Sequence, residues 1–426
     1  MNVAFLILIL SAVLTAAATG TPEAVGKAAL DGAKAAVDLV LGLTGSIVLF
    51  VGLMAIVEKA GGLAFLARAI RPILVRLFPA IPADHPAMGA MVMNLAANAL
   101  GLGNAATPFG LEAMRHLRSL HPRGDQASDA MCLFLAINTS GLALLPTGII
   151  ATRAALGSTD AAAILPTTLI ATGCSTAAAI TAGLLLRKLW APAQTEGDLA
   201  DAAAVDEQPP ESAPTATDVA PAVAAPATGW LAWMPALGIA TALALLVAAV
   251  ARYGSAASAW ILPGLIALMV GVGAVRKVAV YEVFVAAAKD GVQTALGIIP
   301  YLVAILAAVG MLRASGGVDA AVSVVAPLLQ PLGVPAEVVP LALLRPLSGS
   351  GAFGLCAELL QQHGPDSPIG MLASTLVGST ETTFYVLAVY FGSVGVVRAR
   401  WALLAGLCAD VVGALASVVA VRWLLL

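Results

Sequence analysis

Apolar residues run along this chain in long blocks, such as Asp38 to Ile56 and Trp401 to Leu426. A run of about 20 is what an α-helix needs to cross a bilayer. Between the blocks, apolar and polar positions recur with helical period over 20–36, 62–78, 278–290 and 317–331, the pattern of amphipathic helices. Glycine and proline interrupt two further apolar segments, 86–120 and 336–362. Each half of the chain therefore follows one plan. An amphipathic stretch (20–36 or 278–290) leads to a spanning helix (37–57 or 291–312), a second amphipathic stretch (62–78 or 317–331) and a broken apolar segment (86–120 or 336–362). Two more spanning helices close the unit (128–150 and 164–187, or 369–393 and 401–425), and the second half carries two extra helices in front, 230–251 and 259–275. The pattern predicts an all-α polytopic membrane protein.

The two halves also agree residue by residue. Placing residue n beside residue n + 255 aligns Gly32 to Leu74 with the second half without a gap: Ala33 meets Ala288, Lys34 meets Lys289, Gly42 meets Gly297, Gly61-Gly62 meets Gly316-Gly317 and Pro72 meets Pro327. After a loss of about nine residues, Phe109-Gly110-Leu111 meets Phe353-Gly354-Leu355. Glycines, prolines and a lysine held in one register indicate an internal duplication. Basic residues follow the first spanning helix and the broken segment of the first half (Lys59, Arg68, Arg71, Arg76, Arg115, Arg118, Arg123) and its end (Arg187, Lys188), whereas in the second half they gather at Arg276, Lys277, Lys289, Arg398 and Arg400. Because cytoplasmic loops carry the excess of Lys and Arg, this exchange predicts two copies inserted with opposite orientation. The amino end and the inter-half linker are then inside and the carboxyl end outside, an arrangement typical of secondary transporters.

Composition narrows the class further. Of 426 residues, 60% are hydrophobic and 11% charged, against roughly a quarter charged in a soluble domain. That excludes a secreted disulfide scaffold, a nucleic-acid-binding domain and most soluble enzyme folds. Residues 193–229 hold seven acids, no Lys or Arg, and many Ala and Pro, the composition of an extended, disordered linker. With those seven set aside from the chain's 24 acids, 21 basic residues face 17 acidic ones. The organisation is thus a first repeat at 1–192, a linker at 193–229 and a second repeat at 230–426. Cys132, Cys174, Cys356 and Cys408 form no CxxC pair and read as small buried hydrophobes. The first segment, Asn2 to Ala18, lacks the basic start of a signal peptide and reads as a retained first helix.

Candidate chemistry lies in the breaks. Asn94 and Asn98 share a helix face at i, i+4, ahead of Gly101, Gly103, Asn104, Thr107 and Pro108. The counterpart in the second half holds Arg345, Pro346, Ser348, Gly349 and Ser350. Irregular backbone at membrane depth is tolerated only where protein or a water-filled cavity surrounds it, and matched breaks in two repeats point to a substrate site near the midplane. Kinked packing helices with amides and hydroxyls bonding between them would leave the same pattern. Later spans add Asn138, Thr139 and Ser140 in the first half, and Ser379, Thr380, Glu381, Thr382 and Thr383 in the second. An ionisable group inside a span is read as functional, with a partner; for Glu381 that partner is Arg345, whether in a structural ion pair or in substrate or proton coupling, and Asp410 is a lesser candidate. His85, His116, His121 and His363 show no metal-ligand spacing, and no phosphate loop, HExxH or GxSxG motif occurs. No metal, cofactor or ATP-driven motor is expected, and no enzyme.

These motifs resemble a known family. Phe78-Pro-Ala-Ile-Pro-Ala-Asp84-His85-Pro86-Ala-Met-Gly89, Gly101-Leu-Gly-Asn-Ala-Ala-Thr-Pro108 and Ala136-Ile-Asn-Thr139 are similar to spore maturation protein A. Gly333 to Gly349 with Arg345-Pro346, His363-Gly-Pro-Asp-Ser367, Gly378-Ser-Thr-Glu-Thr382 and Val389-Tyr-Phe-Gly392 are similar to spore maturation protein B. The resemblance implies a fusion of two nucleoside-recognition (gate) domains, modules shared with concentrative nucleoside carriers and the membrane part of ferrous-iron transporters. It supplies no catalytic residues and does not imply sporulation in the source. Together these readings predict two inverted-topology gate repeats with broken or re-entrant helices, in a bacterial cytoplasmic (inner) membrane. The expected function is secondary transport or export of a small polar solute, nucleoside-like compounds among the candidates. The alternative is a non-transporting structural or regulatory membrane protein of the spore-maturation type. The expected partners are membrane lipid and the solute, with no nucleic acid; small-residue surfaces leave a homo-oligomer open.

Overall fold

A computed structural model describes residues 2–101, 103–120, 126–190, 233–253, 260–317, 320 and 334–425. The acidic linker 193–229 and nearly all of the amphipathic stretch expected at 317–331 lie outside the described residues, as do His121 and Arg123. Among those described, sixteen α-helices make up the fold. The first group is α1 (Asn2–Thr19), α2 (Pro22–Lys59), α3 (Gly62–Leu77), α4 (Pro86–Ala99), α5 (Gly103–Ser119), α6 (Asp129–Thr139), α7 (Thr147–Ala155) and α8 (Leu165–Leu189). The second is α9 (Met234–Tyr253), α10 (Ile261–Val275), α11 (Val280–Ala314), α12 (Val339–Leu344), α13 (Gly349–His363), α14 (Pro368–Ser379), α15 (Thr383–Gly392) and α16 (Ala402–Leu424). Three of them, Pro22–Lys59, Leu165–Leu189 and Ala402–Leu424, are long and apolar enough to cross a membrane. The chain is a multi-pass membrane protein.

Two expectations need correction. The amphipathic stretch and the first spanning helix of each half are one continuous helix, α2 of 38 residues and α11 of 35. No residue between them stops the helix: Gly32 and Gly291 face the partner helix rather than a turn. What does end each long helix is the Gly-Gly pair that the halves share. Gly61 and Gly316 take φ of 87° and 80°, the left-handed geometry that glycine adopts without strain and that commonly closes a helix. The second correction concerns the spans expected at 128–150 and 369–393, each of which is broken in the middle. α6 stops at Thr139, Gly141 turns at φ 63°, and α7 resumes at Thr147 after Pro146. α14 stops at Ser379, Thr380 and Thr382 are extended, and α15 resumes at Thr383.

Helices at matching positions of the duplication pack against each other. Gly32 of α2 abuts Leu306 and Ala307 of α11, Gly310 abuts Ala28, Gly291 abuts Val48 and Val51, and Gly52 abuts Phe284. Residue numbers rise along one helix as they fall along the other, so the pair is antiparallel. α8 and α16 pack in the same sense, with Gly183 against Trp401 and Ser175 donating to the Ala409 carbonyl at 3.0 Å. Each half also lends a short helix to the other's core. Ile149, Ile150 and Ala151 of α7 pack with Leu341, Leu355, Leu359, Leu372 and Leu376. Tyr390 and Phe391 of α15 pack with Met91, Leu95, Met114, Met131 and Phe134.

The antiparallel contact makes a specific demand on one glycine. A β-carbon at Gly32 would sit 2.6 Å from the Leu306 carbonyl oxygen, while one at Gly42 meets nothing within 4 Å. Gly32→Ala is expected to destabilise the protein in detergent by about 1–3 kcal/mol through forced separation of the helices. Gly42→Ala is expected to be neutral or stabilising by up to about 1 kcal/mol. Thermal unfolding of the two variants side by side checks the contact, and equal melting would refute it.

Candidate functional site

The breaks after α6 and α14 meet in the middle of the molecule. The Glu381 backbone N–H donates to the Thr139 carbonyl at 3.0 Å, and a β-carbon on Gly141 would lie 2.7–2.9 Å from the backbone of Thr380 and Glu381. The ends left open by the breaks find partners locally. Thr172 of α8 donates to the Gly141 carbonyl at 2.5 Å, and Ser140 and Thr176 share a hydrogen bond at 2.9 Å.

On one side of this crossing lies a neutral amide cluster. Asn94, fully buried, donates to the Ala106 carbonyl at 2.8 Å and to the Tyr390 hydroxyl at 3.0 Å. Asn98, half-buried one turn later, donates to Asn138 Oδ1 at 2.9 Å, and the Tyr390 hydroxyl is 3.5 Å from the same oxygen. Asn138 donates to the Phe134 carbonyl at 2.9 Å, and the Phe134 ring lies parallel to Tyr390 with centroids 6.2 Å apart. Asn94 Oδ1 is buried with no hydrogen-bond partner among the described residues.

On the other side lies a charged cluster. Arg345, 7% exposed, sits in the break between α12 and α13 and donates to the carbonyls of Val377, at 3.1 Å, and Thr380, and to Thr382 Oγ1 at 3.3 Å. It caps the C-terminal end of α14, where a cation favours the helix dipole. Glu381 is exposed and 3.9 Å from Arg345, so the anticipated ion pair is present but loose. Thr383 donates to Asp410 Oδ2 at 2.6 Å.

The other candidates serve local structure or stand apart. Ser348 caps α13 by accepting from the Gly351 N–H at 3.0 Å, and Ser350 is half-buried in the same first turn. Ser379 contacts Ser417 at 3.2 Å, the buried Thr380 hydroxyl is directed back to the Leu376 carbonyl, and Thr139 Oγ1 donates to the Ala136 carbonyl. Thr107 is half-buried in α5, and the Asn104 side chain lies outside the described residues.

With this geometry in view, comparison with known families matches residues 40–186 and 295–397, more than half of the chain, to the family described as nucleoside recognition, or Gate. The chain belongs to the Gate family. It is 47% identical over 163 residues to spore maturation protein B of Bacillus subtilis (strain 168), covering 38% of this chain and 92% of that protein. It is 43% identical over 157 residues to spore maturation protein A of the same organism, covering 37% of this chain and 80% of that protein. No solved structure matches. Both segments matched to the Gate family reach the crossing, since Asn94, Asn98 and Thr139 fall in the first and Arg345 and Glu381 in the second.

Two latches between the halves were not singled out from sequence. Arg153 of α7, fully buried, donates to Asp366 Oδ1 at 2.9 Å, to the carbonyls of Ala161 (3.1 Å) and Asp160 (3.2 Å), and to that of Pro365. Ser158 and Thr159 add hydrogen bonds of 2.5–2.8 Å to the same carboxylate. The matching latch joins Arg400 to Asp129 Oδ1 at 2.6 Å, with Trp401 Nε1 at 3.3 Å. Arg153 near the end of α7, with Ser158 and Thr159 of the loop after it, and Arg400 in the loop after α15 thus each grip an aspartate at the start of the other half's broken helix, beside the capping Ser367 or Ser128. The sequence signals were an Asp beside a helix-capping serine in both halves and the basic pair Arg398 and Arg400. Tyr390 was also missed as a site residue, because a tyrosine in an apolar run is indistinguishable from core.

Partial burial alone would raise the Asp366 carboxyl, but bonds from Ser158 and Thr159 and the charge of Arg153 outweigh it and hold it below the usual carboxylate range. A carboxylate depressed in this way supplies stability that is complete above about pH 4 and is lost as pH falls through its folded value. Asp366→Asn is therefore expected to lower stability at pH 7 by about 1–3 kcal/mol, less than for a wholly buried pair because Asp366 is 32% exposed. The gap from wild type should narrow as the pH falls below about 4 and close once it passes below the folded value, as measured by unfolding in detergent. A gap independent of pH would overturn the assignment.

Proposed function

We propose that this Gate protein is a secondary transporter or exporter of a small polar solute, with nucleosides the first class to test. The solute binds where the two mid-span breaks cross. One observation carries the reading: two broken helices meet at Thr139 and Glu381 with a neutral amide cluster on one flank and a guanidinium–carboxylate cluster on the other. Backbone interrupted at this depth exposes donors and acceptors that a solute can use in place of water. The amides of Asn94, Asn98 and Asn138 suit the mixed donor and acceptor edge of a nucleobase. Arg345 and Glu381 suit a gating or coupling role, since rearranging either disturbs the end of α14.

The same proposal takes the repeats as inverted in the membrane. Antiparallel packing of α2 on α11 and of α8 on α16 supports it, as does the exchange of basic loops. In that arrangement the Arg153–Asp366 and Arg400–Asp129 latches fall on opposite membrane faces and are suited to alternate. The protein acts without bond-making chemistry or a resident cofactor, in the cytoplasmic membrane of a bacterium, with lipid around α1, α9 and α10.

The test is a thermal-shift screen of purified protein against nucleosides, bases, amino acids and small organic acids, repeated with Asn98→Ala and Glu381→Gln. A ligand at a hundredfold excess over its dissociation constant stabilises the folded state by about 2.7 kcal/mol. Stabilisation by a nucleoside that Asn98→Ala abolishes is the expected result. No stabilisation by any compound would favour the structural, non-transporting role, and stabilisation unchanged in both variants would overturn the placement of the site.

A further inference from the structure

Asp410 lies in the middle of α16 and is 8% exposed. Thr383 donates to its Oδ2, while Oδ1 has no hydrogen-bond partner among the described residues. The helix is shaped around this carboxylate. A β-carbon on Gly406, one turn earlier, would lie 2.8 Å from the Thr383 methyl group and 3.1 Å from the Thr139 hydroxyl. On Gly413, one turn later, it would lie 2.7 Å from the Thr380 methyl group and 3.2 Å from Ser175. Gly406, Asp410 and Gly413 share one helix face, so α16 presses a single carboxylate against both breaks. The corresponding helix α8 carries Thr168, Thr172 and Ser175 there and no carboxylate. Of the two helices, α16 alone carries an acid.

The charged surroundings are sparse. Arg345 is the cation within electrostatic reach, but its terminal nitrogens are engaged by Val377, Thr380 and Thr382. Glu381, on the α14–α15 break, is exposed. From α6, α8, α14 and α15, the described groups turned to this face of α16 are the hydroxyl-bearing Thr139, Ser175, Thr380 and Thr383.

We propose that Asp410 is a proton-binding site that links proton uptake to movement of the two breaks. Its coupling role rests on the transport reading above, whereas proton binding itself is testable without a solute. In the step, hydronium from the open side gives its proton to Oδ1, an O–H bond forms, water leaves, and the negative charge is neutralised. The bond from Thr383 to Oδ2 survives, but the pull of the carboxylate on Arg345 is lost. Arg345 also caps α14, so the proton and the geometry of that break are linked. A buried ionisable group in a membrane span is a common proton relay.

Infrared difference spectroscopy of the full-length protein in liposomes, titrated from acid to alkaline pH in potassium and then in sodium buffer, tests this. The expected result is a protonated-carboxyl band that titrates with pH, is lost in Asp410→Asn, persists in Asp410→Glu and shifts its midpoint in Thr383→Val, which keeps the test usable if Asp410→Asn folds poorly. The absence of any Asp410-dependent band across the range would overturn the proposal and leave Asp410 a fixed counter-ion of Arg345. Suppression of the band by sodium alone would overturn it in favour of a metal-cation site. Neither failure touches the solute screen, so loss of this proposal and loss of the transport reading are distinguishable.

Discussion

The site depends on how helix ends are satisfied at membrane depth. α14 stops at Ser379 with last-turn carbonyls that no further turn of its own helix can satisfy. In hydrocarbon each such group left unpaired costs several kcal/mol. Arg345 resolves this by reaching across from the neighbouring break, Nη2 donating to the carbonyls of Val377 and Thr380 while Nη1 reaches Thr382 Oγ1. That contact fixes where the break lies, and with it Glu381, Thr382 and Thr383. The break after α6 is satisfied differently, by the Thr172 hydroxyl and by the Glu381 N–H. The two ends are therefore interdependent, because a donor of one break serves the carbonyl of the other.

The two Gate segments are unlike in their chemistry. With Phe109 set beside Phe353, Gly101 stands where the second half has Arg345. The first half fills its share of the centre with neutral amides, which hydrogen-bond in both senses and carry no charge to desolvate. The second brings a guanidinium and a buried carboxylate, whose interaction is strengthened by the low dielectric around them. One flank is thus neutral and the other charged.

The halves are also interlocked. α7 packs into the core built by α12–α14, and α15 into the core built by α4–α6. The two aspartate latches pin those exchanged helices at their far ends. Neither half encloses its own core, so joining them in one chain ties together two units that must in any case assemble. Short helices rather than long loops connect the crossing to both latches.

Much of this was legible in one dimension. Apolar block length, the shared register of glycines and prolines, and the family motifs identified an all-helical Gate protein with two related halves and a broken segment in each. Asn94, Asn98, Asn138, Arg345 and Glu381 stood out because polar groups within spans need partners. Periodicity did not reveal the second pair of breaks, because Asn138 to Gly141 and Ser379 to Thr383 read equally well as polar clusters within continuous spans, and backbone direction is set there by a contact about 240 residues away. The extra charge clusters of the second half were visible as loops, but that Arg400 grips Asp129 while Arg153 grips Asp366 is a matter of which surfaces meet. Local patterning thus determined the elements and their repetition. Only the tertiary structure decided which open helix end faces which donor, because that pairing depends on three-dimensional packing between distant segments, which local spacing does not encode.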